Sequence, residues 1–508
     1  MEIPNGWSIT TLGSIATSAG GGTPSKADPS LWSGGTIPWI SPKDMKSLEI
    51  SFSSDSVTAV AAEKLTLIPA ESVLVVVRSG ILSRTLPVGI TRIPVTINQD
   101  MRAFIPKAGI SSRFVALQLV AKEHDVLANC AKGGTTVASI EGLAFASFPL
   151  WLAPEDEQTR IVTKLEELLS DLDAGVAELK AAQKKLAQYR QSLLKSAVEG
   201  RLTAEWRKHN RPAEAGADLL ARILAERRAR WEAKQLAKFN EQGKTPPKGW
   251  QASYPEPVTP DTAGLPSLPD GWVWSSLDQL LYELRSGSAE TSGRVATGYP
   301  ILKSSAVRQG EIDFTALNFL DSEQSRAENF LEIGDVLITR LSGSVEYVGC
   351  CAVVDSLPAI RVQFPDRIFR GKVFSGSLVG HYLAFCLRSH QSRQRLEAAA
   401  KSTAGHKRIS LSDLHPFPIP LPPEAEGLKI VESLRHSFER IERMASEIEL
   451  GLKQSTAQRK NILRAAFAGQ LVPQDPNDEP ASALLDRIRV ARKESAAVPH
   501  RRKIKGRA

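Results

Sequence analysis

A short helical sequence is written twice in this chain, and the repeat limits the folds that the chain can adopt. Residues 190–202 read RQSLLKSAVEGRL and residues 459–471 read RKNILRAAFAGQL, with matching residues 269 positions apart. A repeat on this scale indicates that one structural unit occurs twice. The length of 508 residues points the same way, because a single core stops growing at roughly 250–300 residues.

The repeated unit is larger than this helix. Three further pairs of segments match between the two halves: 6–16 with 271–281, 148–165 with 417–434, and 212–223 with 480–488. The chain therefore has the order A–B–A′–B′, in which each A segment has a mixed pattern and each B segment is helical.

The A segments predict compact α+β (mixed α/β) domains. Apolar runs typical of strands alternate with glycine- and serine-rich turns, at 73–77, 90–97, 334–341 and 350–354. Helical patterns follow at 113–131 and 378–400. The predicted divisions are a first A domain at 1–153, a central helical region at 154–250, a proline-rich linker at 251–270, a second A domain at 271–421, a distal helical region at 422–495 and a basic disordered tail at 496–508.

Each B segment begins after a proline and continues as a long amphipathic helix. Acidic residues follow Pro154 and Pro423, where they favour the positive end of a helix dipole. The apolar residues of the first helix, predicted over 155–199, recur with the helical period of about 3.6, and the second helix carries the same stripe. A further, arginine-rich helix is predicted over 217–242.

Two such stripes predict that the long helices pair with each other. Burial of each large apolar side chain contributes ~1.5–3 kcal/mol, so neither stripe is expected to face water. We predict an antiparallel, coiled-coil-like spacer that separates the two globular domains and creates an internal pseudo-two-fold repeat. In the alternative, each helix packs only on its own A domain. The predicted packing residues are Ile161, Leu165, Leu172, Leu179 and Leu193 on the first helix and Ile430, Leu434, Ile441, Ile448 and Ile462 on the second, with Leu168, Val176, Leu186 and Ala445 in the same stripes.

The composition is typical of a reduced, cytoplasmic protein. Four cysteines, Cys130, Cys350, Cys351 and Cys386, are too few and too scattered for a disulfide framework. The first residues show no secretory signal, and the apolar run at 73–77 is far shorter than the ~18 residues of a membrane helix. The net charge of +8 permits a polyanionic partner such as nucleic acid.

Catalytic motifs are absent from the sequence. It contains no G-x-x-x-x-G-K-[ST] phosphate loop, no G-x-G-x-x-G, no H-E-x-x-H, no paired C-x-x-C and no Asn/Asp-Pro-Pro-Tyr/Phe tetrapeptide of the adenine methyltransferases. We therefore expect no catalytic residue, metal site or cofactor in this chain. The chemistry that remains is recognition.

Basic and amide side chains on turns beside the strands are the candidate contacts to DNA. Arg and Lys can reach guanine, Asn and Gln can pair with adenine, and Ser and Thr can hold phosphate. The candidates in the first A segment are Lys43, Arg78, Arg84, Asn98, Gln99, Lys132, Thr135 and Thr136. Those in the second are Lys303, Arg340, Ser342, Arg361, Lys401, His406, Lys407 and Arg408. Each of them alone is also consistent with a solvated surface residue.

Several longer segments form an ordered set of motifs. The first half carries GWSITTLGSIA, GGTPS followed by LWSGGTIPWISPKDM, PLWLAPEDEQTRIVTKLEELLSDLD and QSLLKSAVEGRLTAEWR; the second half carries LPDGWVW, IPLPPEAEGLKIV and ILRAAFAGQLV. Taken in this order, they resemble the DNA-specificity (S) subunit of Type I restriction–modification systems over nearly the whole chain. The second half departs from the pattern, because EAEGLK replaces EDEQTR and A′ lacks a GGTPS box.

The resemblance implies a division of labour between subunits. Each A domain would be a target-recognition domain that reads one half of a bipartite, asymmetric sequence in double-stranded DNA. The long helices would set the half-site spacing and dock two methyltransferase (M) subunits, so directing adenine-N6 methylation, or ATP-dependent restriction once restriction (R) subunits join. S-adenosylmethionine, ATP and Mg²⁺ would be bound by those partners, and this chain would be non-catalytic.

Two other functions remain open from the sequence. A restriction–modification polypeptide with its own nuclease or methyltransferase site would need the motifs that are absent. A stand-alone bipartite DNA-binding regulator would share the two recognition domains and would work without partner subunits.

Overall fold

The structure, a computed structural model, describes residues 3–132, 137–210, 212–293, 298–321, 323, 325–374, 377–403 and 405–497. The chain divides into two compact units. Unit 1 comprises Met1–Lys180 together with Glu449–Ala508, and unit 2 comprises Ala181–Ile448. Residues 498–508 of the predicted basic tail lie outside the described residues.

Helices form where the sequence predicts them. The α-helices are α1 (Leu12–Ile15), α2 (Ala59–Ala62), α3 (Ser112–Ala121), α4 (Glu123–Cys130), α5 (Gly142–Ala146), α6 (Glu155–Val198), α7 (Ala204–His209), α8 (Gly216–Glu241), α9 (Leu277–Leu280), α10 (Ser377–Arg388), α11 (His390–Ala399), α12 (Leu411–Leu414), α13 (Glu424–Ala466) and α14 (Ala481–Ala497). The two long helices, α6 with 44 residues and α13 with 43, begin directly after the two prolines, as predicted. Among the described residues, no helix is long and apolar enough to span a membrane.

The first domain, in unit 1, is built on a five-stranded sheet. Its strands are β1 (Ser8–Thr11), β2 (Ala16–Gly20), β3 (Ile37–Ile40), β4 (Glu49–Ile50), β5 (Asp55–Val57), β6 (Val73–Val76), β7 (Val88–Thr91), β8 (Thr96–Ile97), β9 (Met101–Pro106), β10 (Ala131–Lys132), β11 (Ser139–Ile140) and β12 (Pro149–Leu152). The main sheet has the order β2-β9-β6-β7-β4, a smaller one has the order β5-β3-β8, and β1–β12 and β10–β11 are two-stranded. The buried rings of Phe104, Phe114 and Phe145 belong to its core.

One predicted strand of unit 1 is in fact two strands. The apolar run 90–97 contains the end of β7, in the main sheet, and the whole of β8, in the smaller sheet. Pro94 lies between them, and a proline has no N–H to donate to a strand ladder.

The second domain, in unit 2, repeats this plan with a four-stranded main sheet. Its strands are β13 (Val273–Ser276), β14 (Leu281–Ser286), β15 (Tyr299–Leu302), β16 (Leu317–Leu320), β17 (Val336–Thr339), β18 (Leu341–Ser342), β19 (Cys351–Val353), β20 (Ile368–Val373), β21 (Lys401–Thr403), β22 (His406–Arg408) and β23 (Pro418–Leu421). The main sheet has the order β14-β20-β17-β19, a three-stranded sheet has the order β18-β22-β21, and β13–β23 and β15–β16 are two-stranded.

Within unit 1, the first part of α6 runs antiparallel to the last part of α13. Near its start α6 buries Ile161 in the same core as Phe467, which directly follows α13. Further along α6, Asp173 forms an ion pair with Arg459. Still further, the side chain of Leu179 lies against Gly451, so the contacts move backwards along α13 as they advance along α6.

Within unit 2, the last part of α6 pairs with the first part of α13. The guanidinium of Arg190 lies 3.0 Å from the Glu442 carboxylate and 5.0 Å from the centre of the Phe438 ring. Leu193 is buried in the same cluster as Leu434. The predicted pairing of the long helices is therefore confirmed, and each helix also packs into the core of a domain, so the two packing modes that the sequence left open occur together.

The apolar stripe is most completely buried where the long helices join the core of a domain. Of the predicted packing residues, Ile161, Leu165, Leu193, Ile430, Leu434, Ile441 and Ile448 are buried, whereas Leu172, Leu179 and Ile462 are half-buried. Leu168, Val176 and Leu186 are also half-buried, and Ala445 is exposed, so the prediction of a continuously buried stripe is wrong. The physical reason is that a contact between two helices covers a narrower face than a contact with a third layer.

A buried carboxylate ties the start of each long helix to its domain. The indole N–H of Trp7 donates to Glu157 of α6, and that of Trp272 donates to Glu426 of α13, each over 3.0 Å. Glu426 also accepts from Thr203 and forms an ion pair with Arg207, both at 2.6 Å. Burial raises the pKa of Glu157 above its ordinary value. In unit 2, Glu426 therefore has a cationic partner, Arg207. In unit 1, burial disfavours the ionised form of the equivalent residue, Glu157.

This difference predicts opposite outcomes for one substitution made at two equivalent positions. Because its pKa is raised, ionised Glu157 opposes folding increasingly as the pH rises through that pKa, and Glu157→Gln keeps an acceptor for Trp7. We expect Glu157→Gln to leave the free energy of unfolding at pH 8 unchanged or higher. Glu426→Gln should lower it by about 3 kcal/mol, because Arg207 loses its carboxylate. Urea denaturation followed by circular dichroism measures both, and equal losses would contradict the assignment.

Candidate nucleic-acid interface

A glycine loop begins the candidate interface of unit 1. The N–H of Gly22 donates to the carbonyl oxygen of Ile97 over 2.9 Å. A Cβ atom at Gly21 would overlap that oxygen and the carbonyl oxygen of Asn98. Only glycine permits two backbone segments to approach this closely, so the loop after β2 is fixed against the end of β8.

Two parallel strands end at the same edge and place predicted residues there. β3 and β8 pair in parallel, with Ile40 opposite Ile97. Lys43 follows β3 and lies 2.8 Å from the Asp55 carboxylate, with about half of its side chain exposed. Gln99 follows β8 and is exposed.

Asn98 occupies a different environment from its neighbour. Its side chain is 5 % exposed, and its oxygen accepts a 3.0 Å hydrogen bond from the N–H of Asp100. The amide that was predicted to meet an adenine therefore closes the turn 98–100 instead. The pattern of residues could not separate Asn98 from Gln99, because both follow the same strand.

Arg78 joins this edge to a small hairpin. The N–H groups of Val77 and Arg78 both donate to the carbonyl oxygen of Asp100, over 2.8 and 3.2 Å. Arg78 forms a β-bridge with Ser139, and Ser139 pairs with Lys132 across β10 and β11. Arg78 is exposed, and Lys132 lies 3.1 Å from the Glu141 carboxylate.

We call this surface the first rim: the glycine loop 20–22, the turn 98–100, Arg78 and the hairpin β10–β11. Lys43 and Gln99 are at the same edge, and the exposed Arg84 lies six residues beyond Arg78. Thr135 and Thr136 belong to the same hairpin in sequence but lie outside the described residues.

Unit 2 gathers most of its predicted residues on one three-stranded sheet. Across β18 and β22, Leu341 pairs with Arg408 and Ser342 pairs with Lys407. Across β21 and β22, Lys401 pairs with Arg408 and Thr403 pairs with His406. The second rim consists of the loop 286–288, the turn 365–367, Arg340–Ser342 and the strands β21 and β22.

Arg340 supports the second rim from inside. Its guanidinium donates to the carbonyl oxygen of Asp366 over 2.9 Å and lies 5.6 Å from the centre of the Phe369 ring. It is half-buried, unlike the exposed Arg78. The exposed Arg367 in the same turn was missed by sequence reasoning, since no motif marks it.

The two rims share one backbone arrangement. The N–H of Ser288 donates to the carbonyl oxygen of Phe364 over 3.0 Å, as Gly22 does to Ile97. The N–H groups of Arg340 and Leu341 both donate to the carbonyl oxygen of Arg367, over 2.8 and 3.3 Å. A Cβ atom at Gly287 would overlap the carbonyl oxygen of Phe364. The glycine that the geometry requires is thus present in the second A segment, although the GGTPS box is not.

The side chains on this shared arrangement differ. In the first rim an arginine, Arg78, lies opposite Ser139; in the second rim Leu341 takes the first place and Arg408 the second. The two segments therefore pair in the same way in both rims, but the arginine is on the first segment of the pair in the first rim and on the second segment in the second rim. Lys303 follows β15, and Ile301 of that strand forms a parallel bridge with Gln363, so Lys303 lies at the edge where the turn 365–367 begins. Arg361 precedes Gln363 at the other end of that segment, and its guanidinium lies 4.0 Å from the centre of the Phe330 ring.

Burial suppresses the chemistry of the cysteine thiols. All four thiols are buried and free, and burial raises the pKa of Cys351 and Cys386 to about 12, which suppresses their reactive thiolate forms. Across the ranges given above, the His, Cys, Asp and Glu side chains form no group of three or more that could hold a metal ion. The exposed basic and amide side chains of the two rims are instead suited to contacting the phosphates and base edges of a nucleic acid.

Comparison with known proteins places these features in context. Residues 4–182 match the family described as Type I restriction modification DNA specificity domain. Over 189 residues the chain is 39 % identical to the EcoR124I/EcoR124II Type I restriction enzyme specificity subunit of Escherichia coli, covering 36 % of this chain and 47 % of that one. Over 381 residues it is 25 % identical to the EcoKI specificity subunit of Escherichia coli strain K12, covering 73 % and 69 %.

The fold is also found among solved structures. A chain from the type I R-M system, solved in a study of complex assembly and conformational transition, aligns with a TM-score of 0.60 and 16 % identity, covering 92 % of this chain and all of that one. This likeness confirms the predicted fold class, a mixed α+β chain with long paired helices. The chain spans about half the length of the first relative above and about two thirds of the second.

The glycine contacts predict matched effects of four alanine substitutions. Gly21→Ala and Gly287→Ala should each push a rim loop away from its neighbouring strand and lower the free energy of unfolding by about 1–3 kcal/mol. Gly20→Ala and Gly343→Ala are the controls, because a Cβ atom at either position meets open space. Denaturation curves of the four variants provide the measurement, and a loss at Gly20 equal to that at Gly21 would count against the close approach.

Proposed function

From the similarity of this chain to Type I restriction–modification specificity subunits, we propose that it is the non-catalytic chain that directs such a complex to its DNA target. The first domain, 1–153, and the second, 271–421, each bind one half of a bipartite, asymmetric sequence in double-stranded DNA. The complex then methylates adenine N6 at that site, or restricts unmodified DNA in an ATP-dependent reaction. Because the complex acts on DNA, we assign the protein to the cytoplasm.

One observation carries the proposal: two rims with one backbone arrangement and different side chains. A shared arrangement presents the same surface to a duplex twice, because the phosphate backbone has the same geometry at every site. Different side chains at equivalent positions read different base edges. An asymmetric target with two unlike halves needs both properties.

The members of the two rims differ in exposure and in hydrogen-bond partners, and we assign base or phosphate contact to exposed members. In the first rim these are Arg78, Gln99 and Lys132, and in the second they are Arg367, Lys401 and Arg408. Arg340 and Asn98 hold the turns beneath them. The remaining predicted contacts, Lys43, Arg84, Thr135, Thr136, Lys303, Ser342, Arg361, His406 and Lys407, form the wider candidate surface.

The long helices supply the second part of the function. The repeated sequences at 190–202 and 459–471 provide two equivalent docking sites, one for each of two identical M subunits. Exposed apolar side chains occur along the helices, with Tyr189 and Met444 in unit 2 and Leu450 in unit 1, and such side chains are characteristic of protein interfaces. The helical regions 154–250 and 422–495 also set the spacing between half-sites.

The cofactors of the reaction belong to the partners in this proposal. The M subunits bind S-adenosylmethionine, take the adenine out of the base stack and methylate it. The R subunits bind ATP and Mg²⁺. This chain contributes recognition and assembly.

A methylation map tests the proposal as a whole. The chain is co-expressed with a Type I methyltransferase subunit from the same genome, in a host without adenine methylation, and N6-methyladenine is mapped by single-molecule sequencing. We expect a motif of two short half-sites with a fixed gap, methylated on both strands. An assembled complex that methylates nothing would refute this function and favour a stand-alone DNA-binding regulator.

Two arginines should then separate the half-sites. Arg78→Ala and Arg408→Ala should each weaken DNA binding by ~1–3 kcal/mol if the side chain reads a base, and each should relax selectivity in a different half-site. Fluorescence anisotropy with duplexes altered in one half-site measures this. Arg489→Ala, an exposed residue of α14 paired with Asp486, is the control. Relaxation of the same half-site by both variants would overturn the assignment of one rim to each half.

An insertion in α6 tests the role of the helix in spacing. Four residues added after Gln183 add about 6 Å of helix and rotate the remainder, so the methylated motif should acquire a different gap or the complex should fail to assemble. The control is a four-residue insertion after Gly243, in the turn that follows α8 and points into open space. An unchanged gap in an assembled complex would contradict the role of the helix as a spacer.

A further inference from the structure

A proline-rich segment is held against unit 2 by specific contacts. The Trp250 ring stacks on Trp231 of α8 with 5.7 Å between ring centres, and the Tyr254 ring meets the same indole edge-on at 5.4 Å. Arg227 of α8 donates to the Tyr254 hydroxyl at 3.0 Å and to the carbonyl oxygen of Pro255 at 3.1 Å. The segment therefore covers the surface between α8 and the second domain.

The same segment continues across a second surface of unit 2. The N–H of Val258 donates to Asp278 over 2.9 Å, and the indole N–H of Trp274 donates to the carbonyl oxygen of Pro266 over 3.3 Å. Leu265 and Leu268 line the small cavity, of about 240 Å³, that remains there. Residues 250–268 thus cover two neighbouring surfaces of unit 2, the first beside α8 and the second beside Trp274.

Unit 1 has the same two surfaces. α14 is attached to the first domain as α8 is to the second: Ala481 donates its N–H to Gly6, and Gly216 donates to Gly271, over 2.8 and 2.7 Å. This correspondence places Arg492 where unit 2 has Arg227.

Both surfaces are open grooves in the described part of unit 1. The first, which we call the α14 groove, has a volume of about 990 Å³ and is lined by Thr17, Lys107, Glu155, Arg487, Ile488 and Arg492. The second, the α13 groove, has a volume of about 440 Å³ and is lined by Lys122, Trp151, Lys460, Arg464 and Phe467. These volumes lie in the range of roughly 300–1,000 Å³ that is typical of ligand sites.

Three side chains that fill the corresponding surface of unit 2 have different counterparts in the α14 groove. Arg227 forms an ion pair with Asp278 at 3.2 Å, but the matching position in unit 1 is Gly13. The aromatic pair of Tyr282 and Phe374, 5.0 Å apart in unit 2, corresponds to Thr17 in β2 and Lys107 after β9. The α14 groove therefore lacks a carboxylate and two rings that its counterpart has.

The α14 groove has an excess of positive charge, because Lys107, Arg487 and Arg492 line it together with a single carboxylate, that of Glu155, which lies 3.9 Å from Arg487. Burial and the nearby Arg492 both lower the pKa of Lys107 below its ordinary value, as expected for two cations that face each other. An anionic group from another chain would relieve this repulsion.

The α13 groove adds aromatic and cationic surface. The Lys122 ammonium lies 5.6 Å from the centre of the Trp151 ring. Trp151 is paired with Ile9, which is 55 % exposed, just as Pro420 is paired with Trp274 beneath Pro266 in unit 2. A proline or leucine side chain placed as in unit 2 would cover Ile9.

We propose that the α14 and α13 grooves of unit 1 bind an extended, acidic segment of another protein chain that carries proline and aromatic residues. Its backbone takes the place that residues 250–268 take in unit 2. Its carboxylates meet Arg492 and Lys107, its rings fill the space beside Thr17, and its prolines lie over Ile9 and Trp151. This interaction is independent of DNA recognition.

The first test uses a fluorescent synthetic peptide with the sequence of residues 250–270, which contains Glu256, Asp261 and Asp270. Fluorescence anisotropy with the full chain and no DNA should show saturable binding. Arg492→Glu should weaken it at least about tenfold, or about 1.4 kcal/mol. Arg489→Glu is the matched control: it makes the same charge change on α14 outside the groove and should leave the affinity unchanged. The absence of saturable binding, or equal effects of the two variants, would overturn the proposal.

A second measurement locates the bound peptide. A photo-reactive phenylalanine replaces the tyrosine that corresponds to Tyr254, and the cross-linked residues are identified by mass spectrometry. Cross-links to the β2 region around Thr17 or to α14 would support the proposal. Cross-links to α8 would show that the peptide exchanges with the resident segment of unit 2, and they would overturn it. A peptide with Glu256→Gln and Asp261→Asn should bind more weakly, because its carboxylates are lost.

Discussion

Burial of helix ends from distant parts of the chain completes each unit. In unit 1 the core of the first domain includes Ile161 and Leu165 from the start of α6 and Leu463 and Ala466 from the end of α13. Unit 2 repeats this with Leu193 of α6 and Ile430 of α13. These side chains are almost fully buried, and each leucine or isoleucine among them contributes ~1.5–3 kcal/mol. Neither domain can bury its core with its own residues alone, so the recognition surfaces depend on the helices.

The two rims show how one backbone arrangement can carry two different sets of side chains. The contacts that hold the turns are made by backbone groups and by one glycine in each unit, Gly21 or Gly287. Side chains beside these contacts are free to change, as the exchange between Arg78 and Arg408 illustrates. Because backbone groups and a glycine shape each loop, the outward-facing side chains can differ without a change in the shape of the loop.

The helices could be predicted because their signal is long and periodic. Two prolines, a stripe with the helical period and a repeated sequence located α6 and α13 nearly to the residue. The strands were predicted less well where a proline or a turn divided one apolar run. Fold class and family followed from the order of the motifs.

The rims were harder to predict, because their members are defined by exposure and not by residue type. Arg78 and Arg340 both follow a central strand, yet one is exposed and the other holds Asp366. Gly287 was overlooked because its neighbours do not resemble those of Gly21, although the steric requirement is the same. Such requirements arise between segments that are far apart in sequence, and a single sequence does not display them.

The division of unit 1 between the two ends of the chain has a consequence for its synthesis. The last side chains of its core, Leu484 and Ile488, leave the ribosome some three hundred residues after the first domain. At about 5–20 residues per second, this is a delay of roughly 15–60 s during which apolar surface stays uncovered. The core beneath the first rim is therefore completed only after α14 has been made, so its maturation depends on translation of the second domain and of both long helices.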